Sequence, residues 1–176
     1  GLQVFGTVTK TAVATGADLV GYGGFNSSNY LIQPYNSDLD FGTGDFSFIF
    51  WLKEVTFSTN HYVFDRSDNS ENNRYGLYIN QNQQPVFFVA GGTSFAGTST
   101  TVPENVWACV LLTRRNGVIY CYVNGEQTDS AVFPDSLTLS NTPELRIGNY
   151  YGGGALVLDN LALFRASATA PSPEQI

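Results

Sequence analysis

The sequence predicts an all-β protein, a two-sheet antiparallel β-sandwich of the jelly-roll kind. Three observations predict it. Short segments alternate apolar and polar residues, Gly- and Asn-rich clusters separate them at regular spacing, and Asn116-Gly117 joins two of them in the strongest short-range hairpin signal. At 176 residues the chain has a single-domain length for such a fold. Aromatic residues make up 14% and charged residues only 13%, against a usual charged share of about 25%. Aromatic and β-branched side chains suit a pleated, half-buried surface, and the turn formers fill the loops between strands.

Residues 1–22, rich in Thr, Ala and Gly, read as an N-terminal edge-strand or linker segment, and residues 23–176 as the sandwich itself. Val4-Phe5 and Leu19-Val20 can each seed an edge strand. A short strand at 30–32 precedes the loop 33–44. Phe46–Lys53 then sets Phe46, Phe48, Phe50 and Leu52 on one face, because strand side chains alternate with period two. Ile49 and Trp51 make its other face apolar as well, which predicts a central strand covered on both sides. Further strands are expected at 61–66, 75–80, 85–90, 107–114, 118–124, 144–148 and 156–165. Turn clusters at 68–73, 81–84, 91–101 and 150–154 separate them. No helix longer than a turn and no internal repeat is visible.

A net charge of −7 argues against nucleic acid as a partner, since phosphate neutralisation needs clustered Lys and Arg. Arg114-Arg115, at the hairpin tip, reads as a solvated turn. No apolar run approaches about 18 residues, so no membrane span is expected. Methionine is absent even at position 1 and no signal peptide opens the chain, which reads as a domain excised from a larger polypeptide. Cys109 and Cys121 flank the hairpin. A two-residue turn puts their sulfurs on opposite faces, whereas a three-residue loop brings them to one face. The first arrangement gives two free, buried thiols, in keeping with synthesis in a reducing compartment, and no neighbouring His or Cys completes a zinc site.

The motifs also carry a resemblance. Phe46-Ser-Phe-Ile-Phe-Trp-Leu52, Trp107 to Thr113, Tyr122-Val-Asn-Gly125, Leu145-Arg-Ile-Gly148, Leu158-Asp-Asn-Leu-Ala-Leu-Phe164 and Pro171-Ser-Pro-Glu-Gln-Ile176 follow in one order. Together they resemble the laminin G-like, pentraxin-related branch of the concanavalin A-like lectin/glucanase superfamily, over roughly residues 24–176 in unbroken order, as a single β-rich domain should. The stretch from Gly24 to Asp45 is similar to versions found in bacteriophage structural and tail proteins. The resemblance implies two curved antiparallel sheets with variable rim loops.

The glucanase branch works with carboxylates spaced along one strand. Here no two glutamates lie within four residues, and Asp38/Asp40 and Asp65/Asp68 sit in turn-rich segments where Asp caps backbone. No catalytic residue is assigned. His61, at a strand end without Ser or Cys partners, reads as a histidine with no chemical task. Pentraxin-like relatives bind calcium through an Asp-Asn pair and an acidic run after the strand corresponding to 145–148. This chain has Asn149-Tyr150-Tyr151 there, and tyrosines do not replace carboxylates around a hard cation. Asp159 lies inside an apolar strand, so burial requires either hydrogen bonds to loop amides or one structural calcium, as some relatives hold. Tyr150 and Tyr151, followed by glycines, offer a ligand platform that Asn149, Arg74, Tyr75 and Asn124 can join. Equally, they can cover the sheet or a subunit contact.

The expected function is therefore a non-catalytic carbohydrate- or surface-binding module of a phage tail fibre or other virion protein. Its partner would be a host-surface glycan, and its place a homo-oligomer in the extracellular virion, synthesised in a bacterial cytoplasm. The alternative is a structural decoration or oligomerisation domain with no glycan ligand, using residues 1–22 as an unprotected pairing edge.

Overall fold

The computed structural model describes residues 1–90, 94–152 and 158–176. Parts of the expected turns at 91–101 and 150–154, and the start of the expected strand at 156–165, lie outside the described residues. The strands, in chain order, are β1 (Gln3–Phe5), β2 (Thr9–Ala12), β3 (Val20–Gly23), β4 (Tyr30–Gln33), β5 (Phe46–Lys53), β6 (His61–Ser67) and β7 (Arg74–Ile79). They continue as β8 (Pro85–Val89), β9 (Ser94–Ala96), β10 (Ala108–Arg115), β11 (Val118–Val123), β12 (Glu126–Val132), β13 (Glu144–Ile147) and β14 (Asn160–Ser167). Single 3-10 turns stand at Ser37–Leu39 and Pro173–Gln175.

Two seven-stranded antiparallel sheets form the sandwich. The first runs β1-β4-β13-β6-β7-β8-β9 and the second β12-β11-β10-β5-β14-β3-β2. Residues 1–22 contribute β1 at an edge of the first sheet, and β2 with most of β3 at an edge of the second. β2, β9 and β12 lie outside the expected strands. The first and third are polar edge segments and the second spans three residues, so none carries an apolar alternation.

Between the sheets, Phe46, Phe48, Phe50 and Leu52 of β5 are completely buried against Phe64, Leu77, Ile79 and Phe87 of the first sheet. β5 is central in its sheet, pairing with β10 and β14. Its outer face is not fully covered, however, and Trp51 stays 38% exposed. Among the described residues, the C-terminal segment returns over part of this face, with Ser47 Oγ donating to Thr169 O (2.8 Å) and Arg115 Nη1 to Pro171 O (3.0 Å). A groove of about 540 Å³ remains between that segment and Ile49, Leu111 and Tyr122.

Arg114 departs from the solvated-turn expectation. Strand parity points it inward, where it is fully buried and donates to the carbonyls of Gly42 (2.6 Å), Gly44 (2.7 Å) and Asp135 (2.7 Å). The hairpin does close through a two-residue turn, Arg115 pairing with Val118 and Leu112 with Cys121. The cysteines thus sit on opposite faces as free thiols. Cys121 is buried, but Cys109 is only half-buried because it lies on the open outer face.

Candidate functional site

The site is built on the outer face of the first sheet. The β6–β7 hairpin sets Ser67 opposite Arg74, Asp65 opposite Gly76, and Tyr62 opposite Tyr78. β8 then places Phe88 opposite Gly76. Gly76 is required here, since a Cβ would stand 2.8 Å from the Phe88 ring and 2.5 Å from Phe64 O. Three aromatic rings therefore surround a gap, with ring centroids of Tyr62 and Tyr78 at 5.1 Å and each within 6.0 Å of Phe88.

Arg74 fills that gap. Its guanidinium carbon lies 4.6 Å from the Phe88 centroid on one side and 4.7 Å from that of Tyr151 on another, with Tyr150 at 5.5 Å and Tyr62 at 5.7 Å. Such stacking is favourable because the ring faces are electron-rich. Nε donates to Asp65 Oδ1 at 3.0 Å. Nη2 is buried and has no acceptor. Burial pushes the Asp65 carboxyl above its ordinary value, with the Arg74 charge and the Tyr151 amide pulling the other way.

The segment after β13 closes over this face. Tyr151 N donates to Asp65 Oδ2 (2.8 Å), and its carbonyl accepts from Arg146 Nη1 (3.3 Å). Tyr150 stacks on Tyr62 at 4.8 Å and 24°, and meets Tyr151 edge-on at 5.7 Å. The Glu71 carboxylate is the leading cause that pushes the Tyr151 hydroxyl up to about 12. Burial raises the Tyr62 hydroxyl too.

Of the residues expected at the site, the structure brings together Arg74, Tyr150 and Tyr151. Asn149 is adjacent but buried and internally committed: Nδ2 donates to Asn26 O (3.3 Å) and Oδ1 accepts from Tyr150 N (2.6 Å), so it seats the loop. Tyr75 points the other way, into the core, because it follows Arg74 on a strand; its hydroxyl donates to Leu39 O at 2.8 Å. Asn124 lies on the second sheet at the β11–β12 turn, with φ of 52° and Oδ1 accepting from Cys109 N (2.9 Å).

Asp159 belongs to a different cluster. Its Oδ2 accepts from Val55 N (2.7 Å), and its own amide donates to Glu54 Oε1 (2.9 Å). Glu54 Oε2 stands 2.6 Å from His61 Nδ1. Among the described residues, no group of three His, Cys, Asp or Glu is arranged to hold a metal. His61 thus has a partner that the sequence did not reveal. Burial pushes the Glu54 carboxyl up to about 7 despite the opposing pull of His61.

Sequence reasoning missed Tyr62, Tyr78, Phe88 and Asp65 at the site. For Asp65, Tyr78 and Phe88 the usable signal was parity, since each follows a core residue, Phe64, Leu77 or Phe87; Tyr62 shares the parity of Phe64 and reaches the outer face only through the β-bulge between them. Asp65 is no turn cap; its side chain is fully buried in mid-strand.

A sequence-family model for a laminin G-type domain, described as the concanavalin A-like lectin/glucanases superfamily, matches residues 25–176. No curated protein matches the sequence. Among solved structures, domain 4 of AbnA, an extracellular arabinanase from Geobacillus stearothermophilus in complex with arabinotriose, superposes with a TM-score of 0.75 at 17% identity. That match covers 99% of this chain and 85% of the other. A botulinum neurotoxin type C structure, concerned with cell entry through two ganglioside molecules, gives 0.68 at 17% identity over 99% of this chain and 44% of that one. The binding domain of botulinum neurotoxin DC, in complex with rat synaptotagmin II, gives 0.71 at 16% identity over 99% and 44%. The chain spans less than half the length of the neurotoxin chains, and at these identities the likeness establishes fold alone. With the family match over residues 25–176, the chain belongs to the concanavalin A-like lectin/glucanases superfamily.

Proposed function

We propose that the chain is a non-catalytic saccharide-binding module of a larger protein, a phage tail fibre or other virion protein, with its ligand site at Arg74, Tyr62, Tyr150 and Tyr151. The observation that carries this is Nη2 of Arg74, buried without an acceptor within a ring of aromatic side chains. Sugar rings pair apolar C–H faces with hydroxyls, so an aromatic surround enclosing a free donor suits them. The buried carboxylates Asp65 and Glu54 are committed to protein groups. Both oxygens of Asp65 and both of Glu54 accept hydrogen bonds from, or lie against, protein groups, and both side chains are buried. A hydrolase needs such groups at its substrate. The arabinotriose-bound and ganglioside-dependent structures of the same fold support a glycan ligand by analogy.

The experiment is a glycan array followed by calorimetry on hits, with Arg74→Ala and Tyr151→Ala. Each variant is expected to lose about tenfold or more in affinity. Absence of binding to every polysaccharide sinks the reading. The virion assignment is tested by the flanking sequence of the parent polypeptide, where a collagen-like or β-helical stalk is expected.

One observation favours the oligomerisation alternative: β1 is a sheet edge with Leu2, Val4 and Phe5 half-exposed or more. Apolar edges invite pairing with a second chain. Light scattering on Val4→Lys and Phe5→Lys tests it, with a monomeric parent chain as the contrary result.

A further inference from the structure

We propose that the groove on the outer face of the second sheet is a binding site for an amphiphilic carboxylate, an apolar chain ending in an acid. It lies on the other sheet from the aromatic site and stands independently of the saccharide reading. Its volume of about 540 Å³ falls in the range of small-molecule sites, roughly 300–1,000 Å³.

The floor follows from strand register. On the outer face, Arg165 of β14 stands opposite Ile49 of β5, Ile49 opposite Leu111 of β10, and Leu111 opposite Tyr122 of β11. These four residues form one row across four neighbouring strands, and all of them line the groove. Three inter-strand steps of about 4.8 Å make the row about 14 Å long. One end is a guanidinium, and the rest is two aliphatic side chains and a tyrosine ring. Ala170, Pro171 and Ile176 of the returning C-terminal segment add an apolar wall.

Charge sets the head of the ligand. Arg165 is exposed and makes no ion pair or hydrogen bond among the described residues. No Asp or Glu lines the groove, although the chain carries 15 acidic residues against 8 Lys and Arg. A carboxylate head therefore meets an uncommitted guanidinium, whose fork matches it, and no like charge in the lining.

The polar lining disfavours a hydroxyl-rich occupant. Ser47 Oγ donates to Thr169 O (2.8 Å), Ser167 Oγ and Thr169 Oγ1 share a hydrogen bond (2.8 Å), and Gln175 Oε1 accepts from Ser172 N (2.8 Å). Each of these side chains already serves a protein group. A saccharide needs several convergent polar partners, whereas an alkyl chain needs only to take Ile49, Leu111 and Tyr122 out of water.

Cys109 supplies a local reporter. It lines the groove beside the row, opposite Trp51, and is half-buried, while Cys121 is buried in the core. A ligand in the groove shields the accessible thiol.

The test is the rate of Cys109 alkylation by iodoacetamide, followed by mass spectrometry, with monomeric decanoate, decanol, decyltrimethylammonium or a neutral trisaccharide present. It is run on the parent chain and on Arg165→Gln, with thermal melting to confirm that the variant folds. Saturating decanoate is expected to slow alkylation about tenfold. Its half-protecting concentration should lie about fivefold below that of decanol, the effect of one part-exposed ion pair. The ammonium should protect least, although the net charge of −7 attracts it non-specifically. In Arg165→Gln, decanoate and decanol are expected to agree within about twofold. No protection by decanoate, equal or better protection by decanol or the ammonium, or an unchanged preference in Arg165→Gln overturns the proposal. Protection by the trisaccharide in place of decanoate overturns it too and gives the groove to a sugar.

Discussion

Replacing Glu54 by glutamine is expected to remove a pH dependence of stability that the wild-type chain shows. Glu54 is completely buried at the end of β5, against His61 and the Asp159 amide, and its folded pKa of about 7 stands above the ordinary 4.5. Asp159 and Glu104 are the other ionisable groups of the cluster, accepting from the amides of Val55 and Phe57. For a carboxyl with a raised folded pKa, the native state holds a proton that the unfolded chain releases. The resulting stability is fully present below the unfolded pKa and is lost as pH rises through about 7. A shift from 4.5 to about 7, at about 1.36 kcal/mol per unit, sets the loss at about 3 kcal/mol. For a chain of this size that corresponds to a Tm lower by roughly 6–12 °C on the alkaline side. Gln keeps an acceptor for Asp159 N and a donor toward His61 Nδ1 while carrying no charge. Urea or thermal unfolding of both proteins at about pH 5 and about pH 8 gives the comparison, and taking the difference between the proteins cancels the other carboxylates. The wild-type advantage over Glu54→Gln should be about 3 kcal/mol larger at the acid end. Identical pH slopes for the two proteins would refute the reasoning.

Three further outcomes are expected. Gly148→Ala should cost more than about 2 kcal/mol, because φ is +77° and the new Cβ would stand 2.2 Å from Phe25 Cδ1; Gly117→Ala, at φ +76° in open space, should cost only about 1 kcal/mol, and equal losses in urea melts would contradict this. Arg114→Met should destabilise by about 3 kcal/mol or more by removing the buried donor shared by three loop carbonyls, and a melt within about 0.5 kcal/mol of wild type would contradict that assignment. Iodoacetamide on the native protein should place one slow adduct on Cys109 and none on Cys121, whose thiol burial pushes up to about 12; equal labelling by mass spectrometry would contradict the opposed-face geometry.

The strands with a buried face were legible in the sequence because burial writes itself as period two. Phe46 to Leu52, the hairpin at Asn116-Gly117 and the β13 segment all fall where alternation put them. Edge strands such as β12 bury little on either face, so no alternation marks them. Tyr150, Tyr151 and Arg74 stood out in the sequence as candidates, as glycine-flanked aromatics and a strand-end cation, and the structure brings them together. Their company was not: Tyr62 lies 88 positions before Tyr150, and only the pairing of β6 with β13 brings these segments together.

The amino-acid sequence by itself determined the sandwich and the hairpin, since both follow from local alternation and turn chemistry; the register of the hairpin decided that its two cysteines face opposite ways. The tertiary structure alone decided the fate of each polar residue. Strand parity sent Tyr75 and Arg114 into the core and set Arg74 on the outer face of its sheet, buried beneath the tyrosines, although all three share the same kind of strand context. Long-range pairing gave His61 a buried carboxyl and Asp65 a guanidinium, and it left one buried nitrogen of Arg74 without an acceptor. A side chain's type is written in the chain, but the partner that satisfies its charge or hydrogen bond is set by what the other sheet residues and loops bring within about 3 Å.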